Sequence, residues 1–337
     1  AYAVVANEGE PADDFSSDPE GSVGVVALPT GKTAPAQSAV RIADFHAFEA
    51  DGALDPDVRV FGPTPEADFP VSRNLEPEYL TVDGGTAYAT LQEANAIATI
   101  DLASATVTGI RSLGFKDHSL PQNALDPSDR DDRVELRTYE GLKGMYQPDA
   151  IDSYTAGGAT YLVTANEGDA REWGDYTEAA RVKDLGDDGL APVCDDSPAA
   201  ASLGDADLGR LNVTIENGLD EARDCYEELY AFGGRSFSIW STDGELVWDS
   251  GSGFEEITAA ADPAFFNSNH SESNLEGRSD DKGPEPESVT IGELSGRTYA
   301  FIGFERVGGI AAYDITDPAS PDFVTYVNNR DFSQSVE

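Results

Sequence analysis

Three stretches of this chain repeat one another. Residues 76–102 read EPEYLTVDGGTAYATLQEANAIATIDL, residues 147–173 read QPDAIDSYTAGGATYLVTANEGDAREW, and residues 285–315 read EPESVTIGELSGRTYAFIGFERVGGIAAYDI. Each opens on a proline followed by an acid, alternates apolar and polar positions up to a glycine-containing turn, and continues through a Tyr-led segment to a second acid. Period-two alternation punctuated by turn residues is the pattern of antiparallel strands. A fourth copy without its head opens the chain as AYAVVANEGEP and resumes as GSVGVVAL at 21–28. A small sheet cannot bury its own apolar face, so recurring copies must cover one another. Radial stacking does this. The repeat predicts an all-β chain forming a β-propeller, seven-bladed in the full domain and incomplete here.

Segments 236–249 and 40–61 supply further strands. Two segments, about 112–146 and 174–230, break the pattern; they are rich in Asp, Gly and Pro and are expected as long acidic loops on one rim. The expectation is therefore one domain over residues 1–337, truncated at both ends.

Acid outweighs base heavily, with 64 Asp and Glu against 21 Lys and Arg and a net charge of −43. That field repels phosphate, so nucleic acid and anionic membranes are excluded as partners, and a phosphoester substrate would need a metal to neutralise its site. Only 5 of the bases are lysines. Heavy acid with scarce lysine points to a high-salt environment, where self-repulsion is screened; an ordinary acidic secreted protein is the alternative. No apolar run is long enough for a transmembrane segment. Without CxxC pairs or Cys/His clusters, zinc is disfavoured. Cys194 and Cys225 lie in one acidic segment, and a disulfide closing it is expected of a secreted chain; two free thiols are the other reading. Asn212 and Asn269 head glycosylation sequons.

The acids that recur at strand ends carry the functional signal. In a propeller, equivalent positions converge on the central channel, so Glu78, Asp149 and Glu287 are expected to form one ring. Glu8, Glu93, Glu167 and Glu305 form another or line the same mouth. The two acids of each complete copy are 15, 18 and 18 residues apart. Converging carboxylates are costly unless a cation or hydrogen-bond donors meet them. Oxygen ligands without sulfur or histidine favour Ca²⁺; caps and turns inside each blade are the competing explanation. The candidate metal ligands are Asp149, Glu167, Asp169, Glu285, Glu287 and Glu305. In the run GPEPES, prolines flank Glu285 and Glu287, which predicts extended, stiff backbone aiming both carboxylates.

In ANEGDAREW, alternating acid and arginine can hold a cation and an oxyanion together, or form a self-satisfied salt-bridge network. His270, Arg171, Arg306 and Lys282 are the candidate catalytic groups. His270 is one of only 3 histidines. No Walker loop, EF-hand, GxSxG elbow or HExxH helix is present.

The runs KDHSLPQNALDPSDRDD (116–132), GMYQPDAI (144–151), VTANEGDAREW (163–173), YEELYAFGGRSFSIW (226–240), FFNSNHSESN (265–274) and RSDDKGPEPESVTIGELSGRTYAFIGFERVGGI (278–310) resemble the choice-of-anchor I family. Mesenchyme-specific cell-surface glycoprotein-like chains belong to that family, and some of its members are labelled alkaline phosphatase. The resemblance covers nearly the whole chain. It implies an extracellular or cell-surface, calcium-associated propeller without a settled reaction. Two functions are expected on these grounds. One is calcium-dependent contact with a cell-surface, matrix or mineral component. The other is metal-dependent phosphoester hydrolysis, with Arg171, Arg306 or Lys282 clamping phosphate oxygens.

Overall fold

A computed structural model describes residues 1–63 and 70–335. The chain is all-β. Five sheets of three or more strands organise the described residues, with one short α-helix, Gly253–Ala261, among them.

Each repeat copy becomes a hairpin plus further strands. Residues Pro77–Asp83, Thr86–Leu91, Ala96–Asp101 and Thr106–Ser112 form a four-stranded antiparallel meander. Its two central strands, TAYATL and AIATID, are buried almost throughout, which is why they read as near-continuous apolar runs. The last sheet repeats this order over Pro286–Leu294, Arg297–Phe304, Ile310–Asp314 and Asp322–Val327. The copy at 147–173 supplies only the hairpin Ile151–Ala156 and Ala159–Asn166. Its third and fourth strands, Ser236–Ser241 and Leu246–Asp249, come from beyond the long 174–230 segment.

The headless copy follows the same register. Tyr2–Asn7 pairs with Ser22–Ala27, which pairs with Val40–Asp44. Asn7 lies opposite Ser22 and donates to its Oγ at 3.3 Å; Asn166 lies opposite Ser236 and donates to its Oγ at 3.2 Å.

The first strands of successive sheets stand side by side. Pro77–Asp83 packs between Tyr2–Asn7 and Ile151–Ala156, and Ile151–Ala156 packs against Pro286–Leu294. Polar side chains stitch these seams: Thr81 Oγ1 to Ser153 Oγ at 2.8 Å, Thr90 Oγ1 to the Asp149 carbonyl at 3.0 Å, and Ile291 N–H to Asp152 Oδ2 at 2.9 Å. Separate apolar cores fill the spaces between sheets, one around Phe45, Leu91 and Ile100 and another around Phe237, Phe254 and Ile302.

The expected rim loops are a correction. Segments 112–146 and 174–230 together build a five-stranded sheet in the order Ala179–Arg181, Asn212–Thr214, Leu229–Ala231, Leu142–Met145, Phe115–Asp117, with its own core around Leu142, Leu208 and Leu229. Leu229–Ala231 runs parallel to Leu142–Met145, a pairing within segments that the sequence predicts as loops. Strands of three or four residues are too short to show a period, and their partners lie far off in sequence. Cys194 and Cys225 are joined in a disulfide within this part of the molecule, as expected.

Candidate functional site

Antiparallel pairing puts the start of one strand beside the end of the next. Pro77 lies opposite Leu91, Ile151 opposite Thr164, and Pro286 opposite Phe304. The acid that opens each hairpin and the acid that follows its second strand therefore share one end: Glu78 with Glu93, Asp149 with Glu167, Glu287 with Glu305. Side-by-side first strands then bring the three pairs together. Withdrawal from water, reinforced by Glu93, Asp149, Glu8 and Asp169, pushes Glu78 up to about 10. Burial together with Glu287 and Glu305 pushes Asp149 up to about 7, and burial with Glu76 pushes Glu93 up to about 8. These acids thus form one electrostatically coupled cluster.

The run GPEPES divides its two glutamates between different tasks. Glu285 is fully buried, and its φ of 50° lies in the left-handed region. This corrects the extended geometry expected before proline. Three cations overrule the local preference: Arg278 pairs with Glu285 Oε1, Arg306 Nε lies 3.2 Å from Oε2, and Lys282 Nζ lies 4.0 Å from it. Glu287, two residues on, is exposed at the pocket. The residue before the proline is buried in the other copies too, as Glu76 and Gln147; after it stand Glu78, half-buried, and Asp149, which unlike Glu287 is itself buried. Glu76 Oε2 accepts from Arg171 at 2.7 Å, and the Gln147 amide donates to the Asp169 carbonyl at 2.6 Å. Sequence reasoning did not single out Glu76 and Gln147, although the recurrence of EPE at 76–78 and 285–287 signalled them.

Of the candidate ligands, Glu167 Oε1 is 2.5 Å from Lys282 Nζ, and its other oxygen accepts from Gln92 at 3.2 Å. Burial pushes Glu167 up to about 7 despite that lysine. Asp169 stands exposed, 3.8 Å from Lys282. Oxygens of Glu167, Glu285 and Glu305 lie within 4.8 Å of one another. Burial alone lowers the proton affinity of Lys282, but Glu167, Glu285 and Asp169 outweigh it and hold the ammonium above its usual range.

The candidate catalytic groups fall into two places. Arg306, Lys282 and Arg278 surround Glu285, and His270 Nδ1 lies 2.9 Å from Arg306 Nη1. Arg171 is elsewhere and is 2 % exposed: besides Glu76 it donates to Asn74 and the Phe61 carbonyl, with its guanidinium over the Phe61 and Trp173 rings. It is the buried network that the sequence allowed for ANEGDAREW. Gly168 and Gly233 let this loop approach its neighbour, since a Cβ on Gly233 would sit 2.0 Å from the Glu167 carbonyl oxygen. Beside the loop a polar pocket of about 400 Å³ is lined by Asp169, Arg278, Asp281, Lys282 and Arg306.

Fold and site together define a repeated all-β chain built around a carboxylate-rich pocket with arginine and lysine set into one wall. The chain belongs to the choice-of-anchor I family, whose domain description matches residues 1–318. It is 30 % identical over 278 residues to the mesenchyme-specific cell surface glycoprotein of Strongylocentrotus purpuratus, covering 72 % of this chain and 35 % of that protein. It is 40 % identical over 117 residues to Gigasin-3a of Magallana gigas, covering 32 % of this chain and 40 % of that one. The chain therefore spans well under half the length of these relatives. Among solved structures, dihydro-heme d1 dehydrogenase NirN overlaps 97 % of the chain, and 47 % of its own, at a TM-score of 0.27 and 10 % identity. The WD40 repeats of RRP9 overlap 96 % of it, and 83 % of their own chain, at 0.23 and 10 % identity. Overlaps this loose carry no structural conclusion.

Proposed function

We propose that this chain is a secreted or surface-anchored β-propeller module whose acidic pocket binds calcium and mediates contact with a cell-surface, matrix or mineral component. The observation that carries the reading is the convergence of Glu78, Glu93, Asp149, Glu287 and Glu305: burial and neighbouring carboxylates push Glu78 up to about 10, Glu93 up to about 8 and Asp149 up to about 7, and raise Glu305. The donor set fits calcium: every group is a hard oxygen, and Glu76 Oε1 and Glu93 Oε2 are buried without partners. Asp149, Glu287 and Glu305, with Glu78 and Glu93, would hold the ion. Glu167, Asp169 and Glu285 keep Lys282, Arg278 and Arg306 in place around it. Bound calcium would supply the charge that draws anionic groups of a partner to an otherwise repellent surface.

The side-by-side first strands support the propeller. Val5 and Ile42 on the first sheet and Phe301, Ile310 and Val327 on the last are 40–62 % exposed, apolar faces of the kind that further blades of a seven-bladed domain would cover. No helix among the described residues is long and apolar enough to cross a membrane. The cell-surface glycoprotein among the relatives supports an extracellular location, and the charge of −43 a high-salt one.

Calorimetric titration of Ca²⁺ into the metal-stripped chain, beside Asp149→Asn/Glu287→Gln, tests the reading. Saturable binding lost in the variant supports it; identical heats in both defeat it. A second reading, calcium-dependent phosphoester hydrolysis, is favoured by one observation: Arg278, Lys282 and Arg306 line the polar pocket beside the acids. No release of phosphate from p-nitrophenyl phosphate at any pH with calcium present counts against it.

A further inference from the structure

The loop Asp126–Glu135 belongs to the segment expected as a rim loop and shares no residue with the acidic pocket. Its ends are closed by an antiparallel bridge, with Leu125 and Arg137 exchanging N–H to C=O bonds at 3.0 Å. Asp126 is fully buried, and Glu276, facing it from another segment, is 2 % exposed. Oxygens of Asp126, Glu276 and Asp131 all lie within 4.8 Å of one another. Among the described residues, no lysine or arginine side chain pairs with Asp126 or Glu276. Arg133 pairs with Asp131 Oδ2 at 3.0 Å, from a side chain more than half exposed. Backbone donors fix the acids: Glu135 N–H to Asp126 Oδ2 at 2.8 Å and Arg133 N–H to Glu276 Oε1 at 3.1 Å.

A separate sign of a ligand is the remaining oxygen of Asp131. Its side chain is 6 % exposed, yet Oδ1 has no hydrogen-bond partner. Asn267, fully buried on the turn that holds Glu276, also leaves its Oδ1 unpartnered. Its amide donates at 3.0 Å to Glu255 Oε1, the oxygen that also accepts the Asp126 N–H.

We propose that Asp126, Asp131 and Glu276 form a calcium site, separate from the acidic pocket, that pins the 126–135 loop to the turn at Glu276. The ligands are all carboxylate oxygens, with no histidine or thiolate to favour zinc or copper. The acids are fixed by their own backbone donors, and calcium tolerates such irregular oxygen sets where magnesium demands near-ideal octahedral geometry. Without a cation, burial pushes Asp126 up to about 7 and Glu276 up to about 8. The chain leads directly from Glu276 to Arg278, Lys282 and Glu285, so metal here steadies the segment that carries the pocket's cations.

The test titrates Ca²⁺ into the metal-stripped full chain and two variants, Asp126→Asn/Glu276→Gln and Asp149→Asn/Glu287→Gln. The first variant is expected to lose one binding event that the second retains, and its melting temperature no longer rises with Ca²⁺ as far as the parent's does. Unchanged stoichiometry and affinity in the first variant overturns the site, whatever the second does. If the first variant fails to fold, Asp131→Asn decides: affinity at this site weakened at least tenfold supports it, and unchanged affinity overturns it. Mg²⁺ binding as tightly as Ca²⁺ overturns the calcium assignment.

Discussion

Lys282 Nζ lies 2.5 Å from Glu167 Oε1, joining residues 115 positions apart in the chain. This pair ties the loop after the second strand of one repeat to the entry of another, and both partners are largely buried. Removing one partner leaves the other charged and unpaired. Lys282→Met should therefore cost about 3 kcal/mol in urea unfolding. Adding Glu167→Gln should recover most of that loss. A double variant no more stable than Lys282→Met would show that the pair is not the coupling element.

The pocket acids make stability fall as pH rises. Glu93 and Asp149 bind protons more tightly when folded than when unfolded, with folded values of about 8 and about 7 against ordinary values of 4.5 and 3.8. Between those limits the folded state holds more protons, so stability is full below about pH 4 and is lost progressively up to about pH 8. Calcium-free protein should melt at a higher temperature at about pH 5 than at about pH 8. Added Ca²⁺ should narrow or reverse the difference. A flat calcium-free profile would contradict the coupling.

Arg171 is held by geometry that lysine cannot copy. Its guanidinium donates to Glu76, Asn74 and Phe61 while lying over two aromatic rings. Arg171→Lys keeps the charge but loses the fork and the stacking, and should destabilise by about 2 kcal/mol. Equal urea midpoints for parent and variant would refute this.

Cys194 and Cys225 close a loop 31 residues apart in sequence. Cys194→Ser/Cys225→Ser should lower stability by about 3 kcal/mol. Because the disulfide joins Cys194 to the two-stranded hairpin Leu219–Asp220 and Cys225–Tyr226 rather than to the acidic pocket, Ca²⁺ affinity at the pocket should stay within a factor of about two, a difference under about 1 kcal/mol. A large loss of affinity would reveal coupling between the two regions.

With a charge of −43, the calcium-free chain should gain melting temperature between about 0.1 M and about 1 M KCl, as the screening length shrinks to about 3 Å. A melting temperature that is constant or falls across that range would argue that its ion pairs matter more than its self-repulsion.

Much of this was legible in the sequence. The repeat marked the hairpins, because strand period and turn chemistry are local properties. The acids at strand ends were legible too, since antiparallel pairing forces the two ends of a hairpin together. The cysteine pair needed only their composition and setting. What local pattern could not reach was the role of each acid. Glu285 and Glu287 look alike between their prolines, yet one is buried beneath three cations in a left-handed backbone and the other faces the pocket. Only the arrival of Arg278, Lys282 and Arg306 decides between them, because the balance of burial and counter-charge is set by groups from elsewhere. The same holds for the 112–146 and 174–230 segments: strands of two to four residues carry no period, and long-range partners alone made them a sheet.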